Sequence, residues 1–269
     1  MDLWNLPTTE KDAVAFLQEK GILPHQRICS NGHKPKLYFG KQVFWKCNVK
    51  SCQQKVNMRV ANWFVNSCIS FLQALHFMFC WTEEMTSVKF LCVKTLRERE
   101  NKKIRGKGKI VEIDESLFTK RKNNRGRVLP QQWIFSGICR ETKEVFLVEV
   151  PDRPSATLMS KIHQHIEKGT IIYFDCWWAY NAIQDNGYEH FTVDHSYNFV
   201  DPSTHAHTQE IERLWGSAKW RNKRHRGTAR HHLESYLAEF MWRNTYHNED
   251  KFKVLLNSIA NHWPPQIDF

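Results

Sequence analysis

Residues 109–118, Lys-Ile-Val-Glu-Ile-Asp-Glu-Ser-Leu-Phe, decide the fold of this chain. Branched apolar residues alternate here with acidic residues, which is typical of a β-strand. A second apolar run, residues 170–175, also predicts a strand and ends on Asp175. Both strands are apolar enough to be central in a sheet, where an unpaired carboxylate is costly. Asp114 and Asp175 are therefore expected to be paired, protonated or bound to metal.

The elements around these two strands predict a mixed α/β sheet with helices on its faces, because three strands come first and helices then alternate with strands. The predicted strands are 109–118, 131–140, 144–150, 170–175 and 190–194, and the predicted helices are 155–168, 177–185, 208–221 and 230–246. Nearer the N-terminus, residues 8–20 predict a helix capped by Thr9. The apolar residues 63–80 predict a buried helix.

A third acid, Glu212, lies on the predicted helix 208–221. The buried stripe of this helix has the spacing i, i+3, i+4, i+7 and consists of Ile211, Leu214, Trp215 and Ala218. Glu212 borders the stripe and can lean over the edge of the sheet, whereas Glu210 points further away.

Two neighbours of Asp114 differ in their expected roles. Glu112 shares the strand face of Asp114 and is the best candidate to support it, whereas Glu115 faces the opposite way. Two carboxylates at strand ends and one on a helix can hold a pair of divalent cations. Such a pair, about 3.5–4 Å apart, is a general device for cutting and rejoining phosphodiesters.

The composition indicates a polyanionic partner, since the formal net charge is +11 and basic residues cluster. A basic loop follows the first strand, and a basic tract follows the Glu212 helix. Double-stranded DNA is the expected partner, and solvated linkers are the alternative for both tracts. The residues expected to contact phosphates are Lys120, Arg121, Lys122, Arg125, Arg127, Lys219, Arg221, Lys223, Arg224 and Arg226. The sequence contains no uncharged apolar run of about 18 residues, so no membrane span is expected. The N-terminus lacks the features of a signal peptide.

A cysteine and histidine cluster predicts one structural zinc ion. Cys29 and His33 are followed by two strand-like runs and then by Cys47 and Cys52, which suits tetrahedral Zn²⁺. The alternative is reduced surface cysteines with an unrelated histidine, and His25 is a rival for the fourth ligand. The pattern is typical of a reducing compartment. Lysines of this segment, Lys34, Lys36, Lys41 and Lys46, are expected to contact DNA.

Several stretches together resemble transposases of the Merlin superfamily, which are related to bacterial insertion-sequence transposases with an ISXO2-like transposase domain. The stretches are Val111-Glu-Ile-Asp-Glu-Ser, Val128-Leu-Pro-Gln-Gln-Trp, Gly137-Ile-Cys-Arg-Glu-Thr, Asp175-Cys-Trp-Trp-Ala-Tyr, His207-Thr-Gln-Glu-Ile-Glu and Tyr236-Leu-Ala-Glu-Phe-Met-Trp-Arg. The spacing of 36 residues, 176–211, between the last two acids is also typical of that family. Gln209 stands where relatives usually have Asn.

The resemblance implies an RNase H-like core with a catalytic triad of Asp114, Asp175 and Glu212 and two Mg²⁺ or Mn²⁺ ions per active site. It also supports a zinc ribbon. The implied reaction is cut-and-paste transposition, in which a phosphodiester at the transposon end is hydrolysed and the freed 3′-hydroxyl attacks target DNA. The expected setting is a homo-oligomer on DNA in the nucleus.

The expected organisation has five parts: an N-terminal helix (1–24), a zinc-ribbon-like segment (25–60), a helical connector (61–105), the catalytic domain (106–248) and a C-terminal tail (249–269). The resemblance also implies a helix-turn-helix-like segment between the apolar helix and the first central strand, but only residues 82–105 fill that gap here, which is shorter than in relatives. Besides an active transposase, we therefore consider a domesticated or decayed relative that binds DNA without transposing it. A third hypothesis is a zinc-dependent interaction module whose large domain is only a scaffold. The presence of all three acids favours the first hypothesis over the third.

Overall fold

The computed structural model describes residues 5–85, 103–104, 106–118, 132–175, 180, 183, 186–193, 200–202, 206–224 and 232–268. For residues 221–224 it describes only the backbone. The chain divides into two compact units. The first contains Met1–Leu91 and Tyr246–Phe269, and the second contains Cys92–Thr245.

Two helices of the first unit were predicted from the sequence. The bounds of the first were close to those observed, whereas the start of the second was wrong. Helix α1 spans Glu10–Glu19, and the Thr9 side chain accepts a hydrogen bond from the Asp12 backbone, so the predicted cap is confirmed. Helix α2 spans Phe71–Thr82, so the prediction of 63–80 placed its start eight residues too early. The Asn62 side chain accepts from the Phe64 backbone and donates to a backbone carbonyl, which holds a turn where the helix was expected.

The first unit also contains a three-stranded antiparallel ribbon. Its strands are β1 (Lys36–Phe39), β2 (Val43–Lys46) and β3 (Lys55–Asn57), in the order β1-β2-β3. The first two match the predicted strand-like runs, whereas β3 was not predicted. Val43 and Trp45 are buried on its inner face, where the Trp45 indole N–H donates to the Met58 sulfur at 3.0 Å.

Residues 249–269, expected as a tail, contain a helix. It spans Lys251–His262 and is numbered α6 below. Its Phe252 ring packs against Phe79, with ring centroids 5.4 Å apart. The buried residues Phe252, Leu255, Leu256 and Ile259 have the spacing i, i+3, i+4, i+7, so the pattern was visible in the sequence.

The second unit is built on a five-stranded sheet. Its strands are β4 (Ile110–Leu117), β5 (Trp133–Cys139), β6 (Val145–Val150), β7 (Ile171–Asp175) and β8 (Glu189–Val193). The order is β6-β5-β4-β7-β8. Strand β4 is antiparallel to β5 and parallel to β7, and β7 is parallel to β8. The predicted mixed sheet is confirmed.

Among the described residues, three helices flank this sheet: α3 (Ser155–His165), α4 (Gln209–Arg224) and α5 (Leu233–Thr245). Helix α3 ends three residues before its predicted end, because Ile166 forms a β-bridge with Ile104. The predicted helix 177–185 lies mostly outside the described residues, as does most of the connector 61–105 beyond residue 85. None of the helices that the structure describes is long and apolar enough to cross a membrane.

The sheet has an apolar core on each face. On one face, Val111 and Ile113 of β4 pack with α3 residues such as Leu158. On the other face, β5 and β6 pack against α4 and α5. Because side chains alternate along a strand, Glu112 and Asp114 lie on the face that α4 covers.

Candidate active site

Asp114 and Asp175 lie on neighbouring parallel strands at the same sheet edge. Glu112 of β4 is in register with Tyr173 of β7, and the two aspartates lie two residues further along each strand. Burial raises the pKa of Asp114 to about 6, and the negative charge of Asp175 adds to this effect. The two carboxylates are therefore close enough to repel each other. Such a pair fits a divalent cation, which would offset the repulsion.

Asp114 is tied to helix α4. Its Oδ2 accepts a hydrogen bond from the Trp215 indole N–H at 2.8 Å, and its Oδ1 accepts from the Glu115 backbone at 2.8 Å. Trp215 is three residues after Glu212, so both side chains lie on neighbouring parts of one helix face. The sequence placed Trp215 in the buried stripe but missed this contact. The contact could have been anticipated, because the N–H group of a buried indole usually needs a hydrogen-bond acceptor.

Glu112 fixes the beginning of the same helix. Its side chain is fully buried, with 0% exposure, and accepts from Arg140 Nε at 2.6 Å. Its other oxygen accepts from the backbone N–H of Ile211 at 2.9 Å. Ile211 immediately precedes Glu212. The Glu112 carboxylate thus joins the central strand directly to the first turn of the helix that carries the third acid.

Arg140 completes this arrangement. A second guanidinium N–H donates to the carbonyl oxygen of His207, and the guanidinium carbon lies 4.5 Å from the ring centroid of Tyr173 on β7. His207 Nδ1 lies 3.6 Å from Glu112. Burial and the charge of Arg140 lower the pKa of His207, so this imidazole is neutral at pH 7 and the contact is not an ion pair.

Glu212 is exposed in the first turn of α4. Its neighbour Glu210 forms ion pairs with Lys143 at 3.0 Å and Arg213 at 3.4 Å. The side chain of Glu210 is thus held by surface cations. The structure brings Asp114 and Asp175 together and attaches the helix of Glu212 to Asp114.

Glu115 lies on the opposite strand face from Asp114, as the alternation of the strand predicts. Burial raises its pKa to about 8, and the charges of Asp114 and Asp175 contribute. Its Oε1 is buried and has no hydrogen-bond partner among the residues that the structure describes. Glu115 is therefore largely protonated at pH 7.

Among the basic residues predicted to bind phosphates near the three acids, the structure describes one side chain. Lys219 Nζ donates to the Ser116 hydroxyl, and it lies 5.5 Å from the ring centroid of Trp215. Lys120, Arg121, Lys122, Arg125, Arg127 and Arg226 lie outside the described residues, and Arg221, Lys223 and Arg224 are described only by their backbone.

The four predicted zinc ligands converge in the first unit. The ligand atoms of Cys29, His33, Cys47 and Cys52 all lie within 4.8 Å of one another. The sulfurs of Cys29 and Cys52 are 3.7 Å apart, and Cys47 Sγ lies 3.6 Å from His33 Nδ1. Ligands about 2.0–2.3 Å from a tetrahedral ion are separated by about 3.3–3.8 Å, so these spacings fit zinc. His25 is exposed and is not in this group.

Comparison with known proteins shows which family this chain resembles. The model of the family described as the ISXO2-like transposase domain matches residues 97–245. A Haemophilus influenzae protein named "Uncharacterized transposase-like protein" is 31% identical over 100 residues, which are 37% of this chain and 80% of that protein.

Solved structures of two retroviral integrase catalytic cores are also similar. The core of HTLV-2 integrase, in complex with magnesium, is 14% identical with a TM-score of 0.33, covering 50% of this chain and 83% of that chain. The core of BIV integrase is 13% identical with a TM-score of 0.36, covering 59% of this chain and 99% of that chain.

Proposed function

The chain belongs to the family of proteins with an ISXO2-like transposase domain, and on that premise we propose that it cleaves and joins DNA at transposon ends by DDE catalysis with two metal ions. Asp114, Asp175 and Glu212 are the proposed catalytic residues. The observation that carries this proposal is the placement of Asp114 and Asp175 on neighbouring parallel strands, beside a helix that contacts Asp114 through Trp215.

The three acids would hold two Mg²⁺ or Mn²⁺ ions. Bound ions of this kind stabilise the attacking and leaving oxygens of an in-line displacement at phosphorus. The chain's own residues contribute position and charge. Each oxygen of Asp114 accepts one N–H bond, so the carboxylate is held in a single orientation and still has lone pairs free for a cation. Glu112 holds the start of the helix that presents Glu212.

DNA would be held by basic residues around this edge. Lys219 lies beside Ser116, two residues beyond Asp114, which supports a phosphate contact next to the acids. The loop 120–127 and the tract 221–226 are proposed to bind further phosphates, which gives affinity without sequence choice. The zinc site would hold the ribbon segment folded.

The wider setting is also proposed. We assign the chain to the Merlin superfamily within its family, on the motifs quoted above, and infer a homo-oligomer acting on DNA in the nucleus. The second candidate is a domesticated or decayed relative that binds DNA without transposing it. The short segment between the apolar helix and residue 105 favours this candidate, since relatives carry a longer helix-turn-helix segment there.

A cleavage assay separates the two candidates. Labelled duplexes would carry the terminal repeats that flank the coding sequence in genomic DNA, and random duplexes of equal length would serve as controls. We expect strand cleavage at the repeat ends that requires Mg²⁺ or Mn²⁺ and is lost in Asp114→Asn while DNA binding remains. Tight DNA binding by the wild-type chain, without cleavage in either metal, would favour the decayed relative.

A further inference from the structure

The outer face of the zinc-containing ribbon has an unbalanced charge. Between residues 25 and 60 the chain has eight lysines and arginines and no aspartate or glutamate. The antiparallel register places Lys36 directly opposite Lys46, and Lys46 directly opposite Lys55. All three are exposed, and none forms an ion pair among the described residues. Like charges directly opposite each other destabilise a sheet, so a polyanion bound along this row of three lysines would relieve their repulsion.

Aromatic rings lie beside the lysine row on the same face. Tyr38 is directly opposite Phe44, and the rings stack with centroids 5.7 Å apart and planes 13° from parallel. The Lys55 ammonium lies over the Phe44 ring, 3.6 Å from its centroid. Tyr38 is 36% exposed. A flat sheet face thus presents a ring next to a line of cations.

This combination fits unpaired nucleotides better than a duplex. In a duplex the bases are stacked on each other and cannot lie against a protein ring, whereas every base of a single strand offers a free face. Neighbouring strands of a sheet are about 4.8 Å apart, so the backbone positions of the three lysines span about 10 Å, and their side chains can reach successive phosphates of one strand. Asn57, in register with Phe44, adds a polar amide at the same level.

We propose that the outer face of the ribbon, formed by Lys36, Tyr38, Phe44, Lys46 and Lys55, binds an unpaired DNA strand. A base stacks on Tyr38, and the lysine row neutralises the adjacent phosphates. The inner face, with Val43 and Trp45 buried, is occupied by the core of the first unit. The proposal goes beyond the catalytic assignment, because strand binding at this face needs none of the three acids.

Binding of the full-length, zinc-loaded chain to a labelled 15-residue oligothymidylate tests the face. The measurement is made without Mg²⁺, and a mixed-sequence duplex of equal length is the comparison probe. We expect Tyr38→Ala to weaken oligothymidylate binding about tenfold, the scale of one lost base stack, and to change duplex binding less than twofold. Phe39→Ala is the matched control, because Phe39 is the next residue, is 43% exposed and points to the other strand face.

The lysine row has its own control. Replacing Lys36, Lys46 and Lys55 together by Gln lowers the net charge by three, as does replacing Lys11, Lys50 and Lys253, which are exposed elsewhere in the first unit. The first triple variant should weaken oligothymidylate binding at least tenfold more than the second. Zinc content and circular dichroism establish that each variant is folded.

Three results would overturn the proposal. Unchanged oligothymidylate binding in folded Tyr38→Ala would remove the stacking site. Equal losses in the two lysine variants would show that net charge alone is responsible. Tighter binding of an oligouridylate of the same length than of the oligothymidylate would assign the face to RNA. Because these assays involve no cleavage, an inactive catalytic site would leave their outcome unchanged.

Discussion

The two groups of metal-ligating side chains in this chain are assembled in opposite ways. The zinc ligands come from one short stretch, residues 29–52, and the ribbon brings them together because Cys47 directly follows β2. The three acids come from two strands and a helix that are far apart in the sequence, and sheet register brings the first two together. A local cluster can form with little of the fold, but the acids need the complete sheet.

The difference predicts different consequences of mutation. Removing a zinc ligand should disturb the fold of the first unit, since metal binding and folding are coupled in such small segments. Removing an acid should disturb the chemistry and leave the fold intact. The negative charges of Asp114 and Asp175 repel each other, so neutralising one of them costs the folded state little.

Asp114→Asn tests this contrast with the largest expected effect. The amide removes a negative charge from the cation site, so DNA cleavage should fall by about a thousandfold or more, and Asp175→Asn and Glu212→Gln should do the same. Circular dichroism and random-duplex binding should match the wild type.

Glu210→Gln is the control for the third acid, because Glu210 is paired with Lys143 and Arg213. Its cleavage rate should stay within a few-fold of the wild type. Equal damage by Glu210→Gln and Glu212→Gln would mean that the third ligand is wrongly placed.

Cys47→Ser tests the other half of the contrast. Structural zinc contributes about 10–16 kcal/mol of apparent binding free energy in small zinc-dependent folds, so the variant should lose its zinc and the ribbon should unfold. Metal analysis should find about one zinc ion per chain in the wild type and none in Cys47→Ser. Cys68→Ser, at an exposed position outside the cluster, should keep the metal. Full zinc in His33→Ala with loss in His25→Ala would reassign the fourth ligand.

Sequence patterns predicted the local features of this molecule well. The cap at Thr9, the two central strands ending near Asp114 and Asp175, and the four converging zinc ligands depend on residues close in sequence or on strand alternation. The assignment of the three acids to catalysis remains a prediction. The structure adds the register of the two strands that carry Asp114 and Asp175 and the contact of Asp114 with the helix of Glu212.

What the sequence missed depends on long-range or competing contacts. The start of α2 was misplaced because the Asn62 side chain holds a turn within an apolar run. The bonds from Glu112 to Arg140 and to the Ile211 backbone depend on the register of three segments. Sequence spacing placed Glu112 on the correct face but could not name its partners.

Glu112→Gln sharpens the comparison, because Glu112 is not one of the three proposed catalytic acids but holds the first turn of the helix that carries Glu212. The amide keeps the shape but weakens the bonds to Arg140 and to Ile211, so the first turn of α4 should be held less firmly. We expect a loss of about 10–100-fold in cleavage, the usual cost of removing a group that orients metal ligands. The Mg²⁺ concentration for half-maximal cleavage should rise.

Glu239→Gln is the matched control for Glu112→Gln, since Glu239 is also buried and accepts from Arg243 at 2.8 Å within α5. Both variants should lose stability, because each replaces a buried carboxylate that is paired with an arginine of low exposure by a weaker partner. Only Glu112→Gln should change the Mg²⁺ requirement. If the Mg²⁺ requirement rose equally in both variants, Glu112 would contribute only to stability.

Glu115→Gln has the smallest expected effect and tests whether neighbours on opposite strand faces have separate roles. Burial and the nearby aspartates raise the pKa of Glu115 from 4.5 to about 8 in the folded chain. Between these values the folded chain keeps a proton that the unfolded chain has released, so stability falls as the pH rises from about 4.5 to 8. Glutamine does not titrate. The variant should therefore be more stable than the wild type by about 1–3 kcal/mol at pH 8, with the advantage disappearing near pH 4.5.

Melting temperatures measured at pH 5, 6, 7 and 8 without Mg²⁺ check this expectation, and a gain of a few degrees at pH 8 corresponds to that range for a unit of this size. Cleavage should be nearly unchanged, because Glu115 faces away from Asp114 and its buried Oε1 loses no hydrogen bond within the described part of the chain. A stability gain that is the same at every pH would mean that Glu115 does not titrate in this range. Loss of cleavage as severe as in Asp114→Asn would instead place Glu115 among the metal ligands, and the two strand faces would no longer have separate roles.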